Sequence, residues 1–452
     1  MQEKRRGADM CSGPILKGML IFAAPIMVMN LLQLLFNAAD TIVVGRFNGK
    51  EAMAAVGAVG SMVNLLVNLF MGLSVGASVV VAQEYGARRT DGVFRAVHTS
   101  MTVSAIGGAA VMVIGLALSE PLLAWMGTPE DIIDMAALYL RIYFIGMPGN
   151  MVYNFGAAIL RAIGDSRRPM IFLLVSGCIN VVLNIVFVAV FNMGVAGVAW
   201  ATVISQYTSA VMVTAFMMRS SGAARLDLRS LGVNGEKLKA LVRIGVPAGL
   251  QGMLFSISNV LIQSAVNSFG STMVAAAAAA SNIQGLTDTA SNAYYNAAIS
   301  YTGQNVGANR LDRVRGIARA SLLLTMVTWV IVCGFIILFG RQLLSIYTSD
   351  AEVISLGMVR LVVMNAAYFT CGIMNVFPGI TRGMGQSLAP MICTLVGACL
   401  LRVVWIMTVF AWKPTIMVLY LCYPVSWAIT GAGQLLIYRR TLGRLTAEMK
   451  TA

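Results

Sequence analysis

Asn30, Gln33, Asn37 and Asp40 lie inside the apolar stretch GMLIFAAPIMVMNLLQLLFNAADTIVVG at 18–45, and their spacing places them on one face of a helix. The stretch is long enough to cross a bilayer, where a charge at the centre costs about 2.5–3.5 kcal/mol on insertion scales. Asp40 stands six residues before Arg46, roughly 9 Å of helix rise, so it belongs to the outer half of the span. A packing hydrogen bond to a neighbouring helix, worth about 0.6 kcal/mol, is the plain alternative to a functional role. Two chemistries are open to a lone carboxylate among neutral polar groups. Taken out of water it can carry a proton, or with amide and hydroxyl oxygens it can coordinate a hard monovalent cation.

Partners of the right type recur in other apolar runs. They are Ser61, Asn64 and Asn68, then Asn150 and Asn154 after Pro148, Asn180 and Asn184 one turn apart, and Thr202 with Gln206. The second half of the chain is patterned differently, with Asn259, Gln263 and Asn267 in one run and Asp288, Asn292 and Asn296 in the next. Arg402 sits near the middle of a later run. Asp288 and Arg402 read as the only other charges deep in the apolar runs of this half, and are expected to pair or to share one hydrated cavity.

The elements that must position these residues follow from composition. Of 452 residues, 58% are hydrophobic and 11% charged, whereas soluble domains carry about 25% charged residues; the mean hydropathy is +0.80. Breaks at Gly, Pro and charge clusters give twelve candidate spans, at 16–46, 53–84, 94–118, 132–160, 169–191, 195–218, 240–268, 274–303, 316–339, 353–381, 390–411 and 415–438. The ten-residue alternation of an outer-membrane barrel is missing. Most of the 32 basic residues fall on one set of ends and loops, while the opposite loops hold only Arg46, Lys50, Arg341 and Lys413. The positive-inside rule therefore predicts both termini in the cytoplasm. The net charge of +14 becomes a topology signal, which disfavours nucleic acid as a partner.

Two stretches repeat. QEYGARRTD at 83–91 matches QNVGANRLD at 304–312, and LRAIGDSRRPM at 160–170 matches ITRGMGQSLAPM at 380–391. PLLAWMGTPED at 121–131 echoes QLLSIYTSDAE at 342–352, and Pro25 pairs with Pro247 one residue out of step. Six spans per half give both halves the same orientation, and parallel repeats of this kind bind substrate between them near the midplane. The expected fold is all-α, with twelve transmembrane helices as two six-helix bundles related by a pseudo-twofold axis along the membrane normal. Its parts are an N-terminal lobe at 1–218, a cytoplasmic linker at 219–239 and a C-terminal lobe at 240–452. Gly86 and Gly307 suit helix ends or tight turns.

Other features weigh less. The start, MQEKRRGADMCSGP, lacks a small-residue cleavage site after it, so the first span is expected to be retained. Seven cysteines read as small buried hydrophobes without disulfides. His98 is the only histidine and reads as incidental. Thirty methionines suit either a cavity that accepts several apolar shapes or ordinary lipid-facing packing. No metal-ligand cluster, catalytic triad or phosphate loop argues for an enzyme.

LLQLLFNAADTIVVGRF, the repeated G-A-x-R-x-D, LRAIGDSRRP and GVAGVAWATVIS resemble the multidrug and toxic compound extrusion (MATE) transporters of the multidrug/oligosaccharidyl-lipid/polysaccharide flippase superfamily, over nearly the whole chain. The resemblance implies two bundles around a central cavity and export of cationic or amphipathic compounds by rocker-switch alternation, driven by H⁺ or Na⁺. It implies a coupling role for Asp40, with Asn180 and Thr202 matching further positions of the family's cation site. Asn184 stands where many members have a second carboxylate, which weakens capture of Na⁺ and tips the balance towards H⁺. Relatives that place acids in the second lobe's seventh and tenth helices have no counterpart here beyond Asp288. Gln33, Asn37, Asn64, Asn68, Asn154, Gln206, Asp288, Asn292 and Arg402 are the expected cavity residues. No cofactor is expected beyond the coupling ion, and the protein is expected as a monomer among the lipids of an inner or plasma membrane. A flippase for a lipid-linked or other amphipathic molecule is the alternative; a non-transporting scaffold is disfavoured by the paired halves.

Overall fold

Within a bilayer no water satisfies backbone N–H and C=O groups, so each segment must satisfy its own by forming a helix. The computed structural model describes residues 10–125, 128 and 130–451; side chains at 41, 48, 50, 51, 53, 54, 57, 58, 61, 62, 64–66 and 131 lie outside the description. Asn64 and Ser61 are among these. Among the described residues there is no strand.

The first helical run, Ile15–Gly86, breaks at Gly49 (φ 82°, ψ −176°) into α1 (Ile15–Phe47) and α2 (50–86). Then follow α3 (Thr90–Trp125), α4 (Glu130–Ile145 with Met147–Ala162), α5 (Arg167–Val190), α6 (Gly194–Arg219) and α7 (Gly235–Asn267). The chain continues with α8 (Ser271–Gly307), α9 (Leu311–Ser345), α10 (Ala351–Ala366 with Tyr368–Gly383), α11 (Leu388–Phe410) and α12 (Ile416–Thr451). Nine helices among the described residues are apolar and long enough to cross a membrane, or eleven with each bent pair as one span. The twelfth, α8, has ample length at 37 residues but is diluted by Asn, Gln, Ser and Thr.

The duplication seen in the sequence recurs as backbone geometry. Gly49 (φ 82°) and Gly270 (φ 92°) occupy matching positions, with ψ near 180° in both, a conformation essentially restricted to glycine. Arg88 (φ 57°) matches Asn309 (φ 56°), and Gly164 (φ 97°) matches Gly385 (φ 85°). Gly86 and Gly307 end their helices as expected, but the left-handed residue lies two positions further on. α4 bends by 47° at Gly146 and α10 by 49° at Ala367, again in register. Pro148, which has no N–H to donate, opens the second segment of α4; no proline marks the matching bend in α10.

The chain divides into two compact units, 28–246 and 10–27 with 247–451. In the first, α4 packs on α3 and α6, and α5 packs on α6. The segment after α6 is tied to the same unit. His98 accepts the Asp227 N–H at its Nε2 (3.0 Å) while its Nδ1 faces the Phe94 carbonyl (2.8 Å). Thr99 Oγ1 accepts from the Asn234 N–H (3.0 Å), and Lys237 pairs with Glu84 (2.7 Å). His98 is therefore no bystander; it is buried (3% exposed) and anchors the linker. Arg229 N–H and the Ser230 hydroxyl hold the Asp227 carboxyl below the usual carboxylate range.

In the second unit α8 and α10 pack closely, and α12 packs on α10. Residues 10–27 belong here, whereas the sequence reading assigns all of 1–218 to the N-terminal lobe. Asn305 Nδ2 donates to the Met10 carbonyl (3.0 Å), Arg313 to that of Gly13 (3.0 Å), and Phe22 meets Tyr301 edge-on. Among the described residues, wide π turns occur in three helices, at Val186–Val190 in α5, Trp329–Cys333 in α9, and Leu395–Leu400 and Ile406–Phe410 in α11. Such turns often accompany functional sites. The first follows Asn184 closely, and the last two bracket Leu401–Trp405, which carries Arg402.

Candidate functional site

In the first unit, close packing of α1 on α5 sets the register of the polar residues. A Cβ at Gly177 would meet the Phe36 ring at 1.8 Å, so only glycine lets that ring lie against α5. One turn beyond Phe36 comes Asp40, and two turns beyond Gly177 comes Asn184. The Asn184 amide donates to Asp40 Oδ1 and also reaches Asn180 Oδ1 (3.2 Å). Asn180 Nδ2 points at Thr202 Oγ1 (3.5 Å), whose hydroxyl donates to the Val198 carbonyl (3.0 Å). Asp40, Asn184, Asn180 and Thr202 thus form one chain of side chains from three helices.

Asn184 is fully buried and its Oδ1 has no hydrogen-bond partner. A buried acceptor left unsatisfied is costly, and here it lies on a residue that touches a carboxylate. The side-chain oxygens gathered are those of Asp40, Asn180, Asn184 and Thr202, a hard, neutral-rich set suited to a proton or a monovalent cation. An N–H of Asn184, rather than an oxygen, faces Asp40.

Tyr139 and Tyr143 of α4 lie within the electrostatic reach of Asp40 and stack on each other at 6.3 Å. Sequence reasoning missed both; the signal was two phenols spaced by four on one helix face. Gln206 packs at the α4 break, where a Cβ on Gly146 would meet its Oε1 at 2.1 Å. Gln33 and Asn37 are exposed on the Asp40 helix and Asn68 is half-buried, while Asn154 bonds to Asn150 (2.9 Å). A separate apolar groove of about 340 Å³, lined by Pro148, Tyr207, Val211 and Met218, includes none of the expected site residues.

In the second unit Asp288 and Arg402 do not form an ion pair. The Tyr368 hydroxyl donates to Asp288. Arg402 is buried (1% exposed) and donates to Ser426 Oγ (2.9 Å) and Asn259 Oδ1 (3.4 Å). Its guanidinium lies over the rings of Tyr423 (4.5 Å) and Phe255 (5.1 Å), and Nη2 has no partner. Ring faces attract a cation when water is excluded, which is how this charge is held without a carboxylate. Trp427 spans the gap, 5.7 Å from both Tyr368 and Tyr423. Asp288 and Arg402 are linked through three aromatic rings instead of by contact.

Arg360 is a third charge within this unit's apolar runs, beyond the two expected. It donates to the Ala277 carbonyl (3.2 Å) and lies over Tyr420 (5.5 Å). Asn259, Gln263 and Asn267 on α7 are exposed, as are Asp288 and Asn292 on α8. Within apolar runs such groups favour water over lipid, and these two helices carry five of them on the unit's exposed surface. Among the described residues no group of three His, Cys, Asp or Glu could hold a metal ion.

The sequence model of the MatE family matches this chain twice, at 25–186 and 247–408. The two matches start at Pro25 and Pro247. Probable multidrug resistance protein YpnP of Bacillus subtilis is 30% identical over 407 residues, covering 89% of this chain and 90% of that protein. Probable multidrug resistance protein YoeA of the same organism is 28% identical over 431 residues, covering 93% and 92%. The structure of a MOP superfamily transporter from Pyrococcus furiosus superposes with a TM-score of 0.92 at 23% identity, over 98% of this chain and all of that one, and so shares the twelve-helix, two-bundle fold. Matched in both halves and along nearly its full length, this multi-pass membrane protein belongs to the MatE family of multidrug efflux transporters.

Proposed function

We propose that the protein exports cationic or amphipathic organic compounds in exchange for H⁺, by rocker-switch alternating access, with Asp40 as the coupling group. One observation carries this reading: Asp40, Asn184, Asn180 and Thr202 are joined in a single chain inside the first unit. With Asp40 open to the outside, the carboxylate takes up the ion. With the site open to the inside, the ion leaves as the organic compound binds. The Asn184 N–H on Asp40 supports H⁺ over Na⁺. A proton can add to the free carboxylate oxygen with this geometry kept, whereas Na⁺ gains the Asn184 oxygen as a ligand only if the amide turns. The exposed polar residues of α7 and α8 supply uncharged hydrogen-bonding groups and one carboxylate, Asp288, for an organic cation. The protein acts as a monomer in the cell membrane with both termini cytoplasmic. The flippase alternative gains some support from Arg360 and Arg402, but both guanidinium groups are already stacked on rings and bonded to neutral oxygens.

The test is dye efflux in proteoliposomes under separately imposed pH and Na⁺ gradients. The pH gradient alone is expected to drive export, and Asp40→Asn to abolish it. Undiminished export by that variant refutes the coupling assignment, and export driven by Na⁺ alone refutes the choice of ion.

A further inference from the structure

A groove of about 520 Å³ opens between α9, α10 and α12, and its lining includes none of the expected site residues. Its polar rim is Arg315 and Arg319 from α9 and Arg439 from α12; its floor is Tyr438 and Phe377, with Leu322 on the wall. All three arginines are exposed. Tyr438 is buried (7% exposed) and lies within electrostatic reach of all three. The acids nearest in sequence are committed elsewhere, Asp312 to Arg310 (3.1 Å) and Glu448 to Arg444 (3.4 Å). None of the three has a carboxylate partner among the described residues.

Three unneutralised guanidinium groups over an apolar trough need explanation. A general bias of basic residues towards one membrane face accounts for arginines, but not for their convergence from two helices on one groove. The duplicated architecture does not require them either. In the register that matches 83 with 304, the first half has Phe94, His98 and Met218 at these positions. The location is interfacial, since Arg439 lies roughly 35 Å of helix rise past Ile416, about the thickness of the hydrocarbon core. Guanidinium groups recognise phosphate oxygens by paired N–H donors, and basic pockets between transmembrane helices at this depth suit lipid headgroups.

We propose that this groove binds an anionic phospholipid, its phosphate held by Arg315, Arg319 and Arg439 and an acyl chain laid along Phe377 and Leu322. The occupant is a lipid and not a soluble anion because the arginines border an apolar trough of Phe377, Leu322, Leu435 and Leu442. The acyl chain contributes burial that inorganic phosphate lacks.

The experiment uses the purified full-length protein in neutral detergent, with melting followed as cardiolipin, phosphatidylglycerol, phosphatidylcholine or inorganic phosphate is added. Native mass spectrometry counts retained lipid. Cardiolipin and phosphatidylglycerol are expected to raise the melting temperature, and phosphatidylcholine and inorganic phosphate to leave it unchanged. Arg315→Gln, Arg319→Gln and Arg439→Gln are each expected to weaken the anionic-lipid response roughly fivefold, and the triple variant to abolish it. Arg440→Gln, on the same helix but outside the groove, should respond as the parent does. Because the three side chains are exposed, the triple variant should fold, which its unchanged melting temperature without lipid would verify. An equal lipid response in the parent and the triple variant overturns the site. An equal response to inorganic phosphate overturns the lipid assignment.

Discussion

Asp40 shows how far the chemistry of one residue depends on its neighbour. The carboxylate touches an amide N–H from Asn184, so the adjacent group offers a donor where a second acid would offer charge. Asn184→Asp puts two carboxylates in contact, and like charges at that distance cannot both stay ionised without a shared proton or cation. The variant is expected to bind Na⁺ about tenfold more tightly than the parent, equivalent to roughly 1.4 kcal/mol, measured by isothermal titration in Na⁺-free buffer. Unchanged Na⁺ affinity would mean that residue 184 does not select the ion. The charges of the second unit teach the complementary lesson. Arg402 is stabilised by ring faces and two neutral oxygens, a solution invisible to a search for opposite charges.

At the level of helices, the decisive contact is apolar. The Phe36 ring against Gly177 sets where Asp40 falls along α5, since a slide of one residue would carry it to another face of the helix. Gly177→Leu overfills this contact, a change that costs about 1–3 kcal/mol in packed interiors. It is expected to lower proton-driven export at least tenfold with Asp40 intact. Phe36→Ala in the same chain should restore part of the lost melting temperature and transport; no recovery would show that the glycine acts through something other than this ring. The linker is a second case. A segment that looks like an ordinary polar loop is fixed by His98, Thr99 and Glu84, all in or beside the start of α3.

On the scale of the whole molecule, paired helices and repeated backbone kinks describe one six-helix plan used twice. An even number of spans requires both termini on one side, and the positive-inside rule predicts that this side is the cytoplasmic one. Protease-cleavable tags at the two ends are expected to be protected together in right-side-out vesicles and cut together in inverted ones; cleavage of one without the other would refute the count. Twelve spans and the duplication were legible in the chain because each is a one-dimensional signal of composition or self-similarity. The polar residues of α1, α5 and α6 were legible too, since a buried amide or acid stands out against an apolar run. Beyond reach of sequence were the Asn184 N–H turned to Asp40, the ring-bridged separation of Asp288 and Arg402, and the membership of 10–27 in the second unit. Tyr139, Tyr143 and the arginines around Tyr438 belong with them. Distances between helices remote in the chain are decided by how ridges, rings and glycines fit in three dimensions, and no local pattern of residue types encodes that fit.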